Sequence, residues 1–398
     1  MKVAYAYEFD AADPMVQSGR PAAIRNALVQ RGAEILNLFP LNQNLKWVYA
    51  PKALYYRRTG RVYRFDREPG FLHSIAWQAR RRLCILQPDV VFTPGSLLAA
   101  KLRTSIPVVF CADATFSNVL DFYDSFSNCA PEFIAQGHAL ERDALARSAA
   151  AIYPSEWAAQ SAIEDYGADP ARVHVVPFGA NVETPAADTV DGWIAARDLC
   201  PLRLLFVGRE WDRKGADTVL ATCSRLHAAG FAVSLDLVGI DRPPVALPVW
   251  AHNHGLLDKR DPHQRARLQT LYAHAHFFFV PSQAENYGMA FCEAAAHGLP
   301  SLTTDIGGIP TIVRHGKTGY TLPPQAPTSE WAAPLAQAVR NPEAYRAMAR
   351  ASRADYKARL NWDAFGARLY EILGCVITKS DYRRENTSEA ANTASLHH

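Results

Sequence analysis

Short apolar runs recur along the chain and alternate with longer stretches in which apolar positions return every three or four residues. The first kind of pattern predicts buried strands and the second predicts helices packed on one face. KVAYA opens the series, followed by a helical stretch from Pro21 to Arg31, then Gly32 and the run EILNL. Pro21 suits a first helical turn and Gly32 a left-handed stop, so this opening reads as a βαβ unit. DVVFT, PVVFC, AAIYP and VHVVP continue the alternation and imply a parallel sheet. After Val182 the text turns polar and Pro-containing, and LRLLFVG then restarts the same rhythm through VSLDLVG and FFFVPS. Two doubly wound, Rossmann-like α/β domains facing a central cleft are expected, with ligand-binding residues just after strands. The expected division is 1–185 for a first domain and 200–359 for a second. A helix over 360–376 is expected to cross back to the first domain, and a disordered tail to occupy 379–398.

A chain of 398 residues exceeds what one hydrophobic core usually serves, in keeping with two domains. No run of apolar residues is long enough to span a bilayer, and MKVAYAYEFD lacks the features of a secretory leader, so a cytoplasmic protein is expected. The seven cysteines form no CxxC pair and read as reduced packing residues. A net charge of +3 is too mild to argue for nucleic acid. That charge is uneven, with twelve Lys/Arg against three Asp/Glu between Lys46 and Arg103. There, in WVYAPKALYYRRTGRVYRFDREPGF, aromatics interleave with arginines, and FLHSIAWQARRRLCIL follows with helical spacing. Such a surface suits peripheral contact with an anionic membrane; a solvated helix face over core-packed aromatics is the plainer alternative.

Two stretches carry the chemistry. SQAENYGMAFCEAAAHGLP sets Glu285 on a loop after FFFVPS and Glu293 inside the helix that Gly288 opens. A helix amino end stabilises phosphate oxygens, and carboxylates accept hydrogen bonds from sugar hydroxyls. LRLLFVGREWDRKG ends a second strand at Gly208 and offers Arg209 and Lys214 beside another helix start. Cations there would hold a diphosphate and stabilise it as a leaving group. Taken singly, each charge reads as an ordinary solvated residue.

Together VGREWDRKG, AENYGMAFCEAAAHGLPSLTTDIGGIP and HGKTGY resemble glycosyltransferase family 4, the retaining GT-B glycosyltransferases. The resemblance is close in the second half and only in outline in the first. It implies transfer of a hexose from a nucleotide-diphosphate sugar, UDP-linked among the candidates, to an acceptor hydroxyl on a glycan, a lipid-linked sugar or a small molecule. It places Arg209 and Lys214 on the diphosphate, Glu285 toward the donor sugar, Glu293 on the ribose, and Asn286, Tyr287, Gly288 and Met289 along the turn. From the first domain the family brings a loop, commonly with a Gly-Gly pair, to the diphosphate; here QSGR supplies Gly19 alone, after Ser18. Where the family often carries a histidine after PVVFC, this chain has Asp113, the candidate acceptor-side residue unless it caps a turn or the helix after Thr115. No DxD pair occurs, so neither metal nor cofactor is expected. A nonhydrolysing nucleotide-sugar 2-epimerase and a non-catalytic sugar-binding module are the competing readings. A dinucleotide oxidoreductase is disfavoured by the lack of GxGxxG after either opening strand.

Overall fold

The computed structural model describes residues 1–13 and 16–395, with side chains as far as 380. The chain divides into two compact units, one formed by Met1–Val176 with the segment from Trp362 onward, the other by Pro177–Asn361.

In the first unit the strands are β1 (Lys2–Ala6), β2 (Glu34–Leu38), β3 (Val90–Thr93), β4 (Val108–Cys111), β5 (Ala150–Tyr153) and β6 (Val173–Val175), ordered β2-β1-β3-β4-β5-β6. All pairings are parallel: Val3, for instance, stands between Ile35 and Val90. β3, β4 and β5 are buried at every position, which is why they read as unbroken apolar runs. The Arg20–Gln30 helix begins with Pro21 in its first turn and ends before Gly32, whose φ of 84° few other residues would adopt. Onto it packs the C-terminal helix, Trp362–Ser395. Gly366 permits that approach, since a Cβ there would lie 2.9 Å from the Cβ of Ala27, and Arg31 Nη2 reaches the Asp363 carboxylate at 2.5 Å. This helix does not end where a disordered tail was expected at Lys379. No Gly or Pro follows Gly374 to stop it, and its backbone stays helical to Ser395.

The second unit carries β7 (Leu202–Val207), β8 (Val233–Val238), β9 (Ala251–Asn253), β10 (Phe277–Val280), β11 (Ser301–Thr304) and β12 (Gly319–Leu322), in the parallel order β12-β11-β10-β7-β8-β9. FFFVPS is thus the fourth strand of its sheet rather than the third. The strand before it, Ala251–Asn253, is too short and polar for periodicity to reveal. The polar stretch after Val182 belongs to this unit and contains a helix, Ala187–Ala196. Side chains bind it there: Arg353 Nη2 donates to the Pro185 carbonyl at 2.8 Å, and Arg197 donates to the carbonyls of Gly298 and His297 at 2.6 and 3.0 Å. The boundary accordingly falls at Val176 and Pro177. Among the described residues no helix is long and apolar enough to cross a membrane.

Candidate active site

In the second sheet, chain order reverses between the neighbours β7 and β10. At such a reversal the loops leaving the two strands diverge to opposite faces and open a crevice beyond their carboxyl ends, where open α/β sheets bind ligands. The loop after β7 carries Gly208 and Arg209 and leads into a single helical turn, Trp211–Lys214, that ends on Lys214; the loop after β10 carries Glu285. Across the crevice the Lys214 ammonium contacts Glu285 Oε2, and both side chains are about 15% exposed (15% and 14%). Arg213 stands beside the pair, its Nη1 3.8 Å from the same carboxylate oxygen, and donates to the Ala284 carbonyl at 2.9 Å. Gly208 makes room for the lysine, since a Cβ at that position would lie 2.8 Å from Lys214 Cγ. Backbone bonds fix the Glu285 loop on two sides, from Gln283 N–H to the Arg213 carbonyl at 2.7 Å and from Gly308 N–H to the Glu285 carbonyl at 3.2 Å.

Past this loop, Gly288 with φ 93° turns the chain into the Met289–Ala296 helix, and Met289 and Asn286 flank the turn. Tyr287 does not face the crevice. It is 3% exposed, and its hydroxyl donates to the Phe178 carbonyl at 2.9 Å. Glu293 is likewise interior, 3% exposed, with Oε1 2.5 Å from the Lys259 ammonium and Oε2 accepting from the Tyr272 hydroxyl at 3.2 Å. A carboxylate this buried is tolerable only when paired and hydrogen-bonded, and these two partners supply that. Arg209 is solvent-exposed and makes no contact with Glu285. Its charge is felt instead at Asp258, whose carboxyl is held down at about 2, first by hydrogen bonds from Arg260 and last by Arg209. Arg213, Lys259 and Tyr272 escaped the sequence reading. Arg213 lies one residue before Lys214, whereas Tyr272 lies on the largely polar Pro262–His274 helix, whose pattern gives no sign that this ring is buried.

Within the first unit, Gln17, Ser18 and Gly19 take successive left-handed φ angles of 47°, 57° and 80°. Two non-glycine residues so held are costly and mark a loop fixed by its surroundings. Directly after it Arg20, only 4% exposed, pairs with the Asp113 carboxylate and donates to the Pro94 carbonyl at 3.3 Å. Burial draws the pKa of this guanidinium down. Asp113 is not a helix cap: Thr115 caps the Phe116–Val119 turn itself, in a reciprocal box with Asn118. Nearby, just after β1, burial pushes the Glu8 carboxyl up to about 7, with Asp66 adding repulsion. Gly19, Arg20, Glu8 and Asp113 thus share the carboxyl-end side of the first sheet, Asp113 following β4 and the others following β1.

Two parallel six-stranded α/β units, one with a Lys/Glu pair at its strand-order reversal, define a protein of the GT-B class. Family models agree on its membership: one described as "Glycosyltransferase Family 4" matches residues 23–184, and one described as "Glycosyl transferases group 1" matches 201–341. The chain belongs to the family 4, group 1 glycosyltransferases. D-inositol 3-phosphate glycosyltransferase of Gordonia bronchialis is 31% identical over 227 residues, covering 53% of this chain and 49% of that protein. The chain thus spans about half the length of the curated relatives it matches, which include the Segniliparus rotundus enzyme of the same name at 46%. Among solved structures, sucrose-phosphate synthase from Thermosynechococcus elongatus superposes with a TM-score of 0.69 at 16% identity, covering 95% of this chain and 100% of that one. Anabaena HepE in complex with UDP and glucose gives 0.57 at 15% identity, covering 94% and 99%. At such identities the likeness speaks for the fold.

Proposed function

We propose that this chain is a retaining glycosyltransferase that moves a hexose from a nucleoside-diphosphate sugar to an acceptor hydroxyl without a metal ion. The observation that carries the proposal is the Lys214–Glu285 pair across the β7/β10 reversal, with Arg213 beside it. Supporting it, HepE was solved with UDP and glucose, and the curated relatives act on an inositol phosphate. In the proposed reaction the acceptor oxygen attacks the anomeric carbon on the face from which the diphosphate departs. The bond from that carbon to the diphosphate oxygen breaks, its electron pair stays with the phosphate, and a phosphate oxygen takes the acceptor's proton. Lys214, with Arg209 from the crevice rim, stabilises the charge growing on the diphosphate, the role for which preorganised cations are most effective. Glu285 orients the donor sugar through its hydroxyls. Glu293 serves the ribose in exchange for its contact with Lys259. Gly19 serves the donor diphosphate, and Asp113, positioned by Arg20, serves the acceptor side.

A thermal-shift screen of nucleotide sugars, followed by transfer assays on the stabilising donor, tests the reading. Lys214→Ala is expected to lower kcat/KM by about a hundredfold, the worth of a charge-assisted hydrogen bond of about 3 kcal/mol. Glu285→Ala is expected to lower kcat by a comparable factor, and Glu293→Ala mainly to raise donor KM. Undiminished turnover in Lys214→Ala overturns the assignment, and interconversion of the donor's sugar with no acceptor present would favour the epimerase instead.

The acceptor is proposed to be met at an anionic membrane surface. On the first unit Trp47 and Trp77 are 70% and 58% exposed and Ile85 83%, while Tyr49, Phe65 and Phe71 take the inward positions. Gln78, one residue after Trp77, exchanges hydrogen bonds with Asn42 at 2.8 and 3.0 Å, which brings the Pro69–Leu86 helix alongside the segment bearing Trp47. Arg81 lies over the Trp77 ring at 4.8 Å and Lys46 over Trp47 at 5.2 Å. Exposed indoles flanked by cations match the headgroup layer of an anionic bilayer. Co-sedimentation with phosphatidylglycerol vesicles is expected, and is expected to be lost in Trp47→Ser/Trp77→Ser. Equal binding to phosphatidylcholine vesicles, or none to either, removes this part of the proposal.

A further inference from the structure

At the amino ends of β4, β5 and β6, away from the strand ends that carry Asp113, the first unit holds a cavity of about 1120 Å³. Its walls come from the segments leading into those strands and from one face of the C-terminal helix. Its charge is lopsided. Arg103 and Arg172 enter from the strand side, and Arg368 and Lys379 from the helix, with Arg147 at the end of the Pro131–Arg147 helix. Only two carboxylates line it. Asp169 lies 3.4 Å from Arg172 and Glu371 3.0 Å from Arg368, all four side chains being 43–63% exposed, where such pairs hold weakly. Arg103 and Lys379 form no ion pair with any described residue. A second observation is independent of the charge: Ser148, 2% exposed and part of the lining, has a hydroxyl with no hydrogen-bond partner among the described residues. Buried hydroxyls are rarely left so unless a ligand or solvent completes them.

We infer that this cavity is a binding site for a small soluble polyanion of the phosphorylated class, held by Arg103, Arg172, Arg368 and Lys379 with Ser148 donating to it. Converging guanidinium groups match phosphate oxygens in geometry as well as charge. The site is distinct from the crevice after β7 and β10, and the inference does not depend on the reaction proposed there. Bound polyanion would fasten the C-terminal helix to the sheet, because its contacts come from both.

His174 on β6 gives a local readout. Burial first, then Arg368 and Lys379, hold its pKa below the ordinary imidazole value, so an anion among those cations should raise it. Histidine-detected NMR of the full chain with inorganic tripolyphosphate is expected to show an upward shift of the His174 midpoint. In Arg103→Glu/Lys379→Glu, a change of exposed groups, apparent affinity should fall about tenfold or more. Lys214→Ala should leave the His174 response unchanged, which separates this site from the crevice. A His174 midpoint unmoved by millimolar tripolyphosphate overturns the inference. So does a response that survives the double substitution, or one given by phosphatidylglycerol vesicles but not by tripolyphosphate.

Discussion

Lys214 and Glu285 were each legible as site residues because each follows a strand that its own apolar run announces, and strand ends are where open sheets place their chemistry. That the two side chains pair was not legible. Their meeting depends on Gly208, and that dependence yields a prediction. Alanine at 208 would put its Cβ 2.8 Å from Lys214 Cγ, so the lysine stem must swing aside while the strand stays intact. Gly208→Ala is expected to weaken donor binding about tenfold, equivalent to about 1.4 kcal/mol, with an unchanged circular dichroism spectrum. Isothermal titration with the donor checks this. What could not be read was who shields whom. Glu293 meets Lys259 from 34 residues away and Tyr272 from 21, through folds of the chain that no local pattern encodes. Arg20 was invisible for the same reason, since its partner Asp113 belongs to another strand end.

At the scale of elements, strands rich in Val, Phe and Leu announced themselves, whereas Ala251–Asn253 and Gly319–Leu322 did not. Those two lie at the sheet's edges, where burial is partial and polar residues are admitted. Loops were the least legible part, and the unit boundary is the clearest case: the change in composition placed it after Val182, yet the chain from Pro177 onward is already stitched to the second unit around the start of the Met289–Ala296 helix. Tyr287 and Cys292 both direct their polar atoms at the Phe178 carbonyl, at 2.9 and 3.5 Å, and the Tyr287 ring meets Phe178 edge-on at 5.2 Å. Removing the tyrosine hydroxyl should cost about 1 kcal/mol and lower Tm by about 3 °C. Scanning calorimetry of Tyr287→Phe checks that value, and its donor KM should stay within about twofold because the hydroxyl points inward.

For the molecule as a whole, acid should act first on the second unit. His276 and His297 are both fully buried, and desolvation presses their pKa values down to about 3 and about 4. Both take protons in the unfolded chain below about 6.5 while the fold keeps them neutral, so stability is complete above that pH and declines as pH falls. Each would cost on the order of 3 kcal/mol by pH 4. Calorimetry between pH 7 and pH 4 is expected to show that loss, reduced in His297→Gln. Larger still in scope is what the matched charge of Lys214 means for an enzyme at work. Living cells are flooded with orthophosphate, and an isolated ammonium in a crevice would clog with it. Under the proposed function, Glu285 would have to give up that contact before any anion reached the lysine, which would turn away loose inorganic ions and favour a guest that grips elsewhere too.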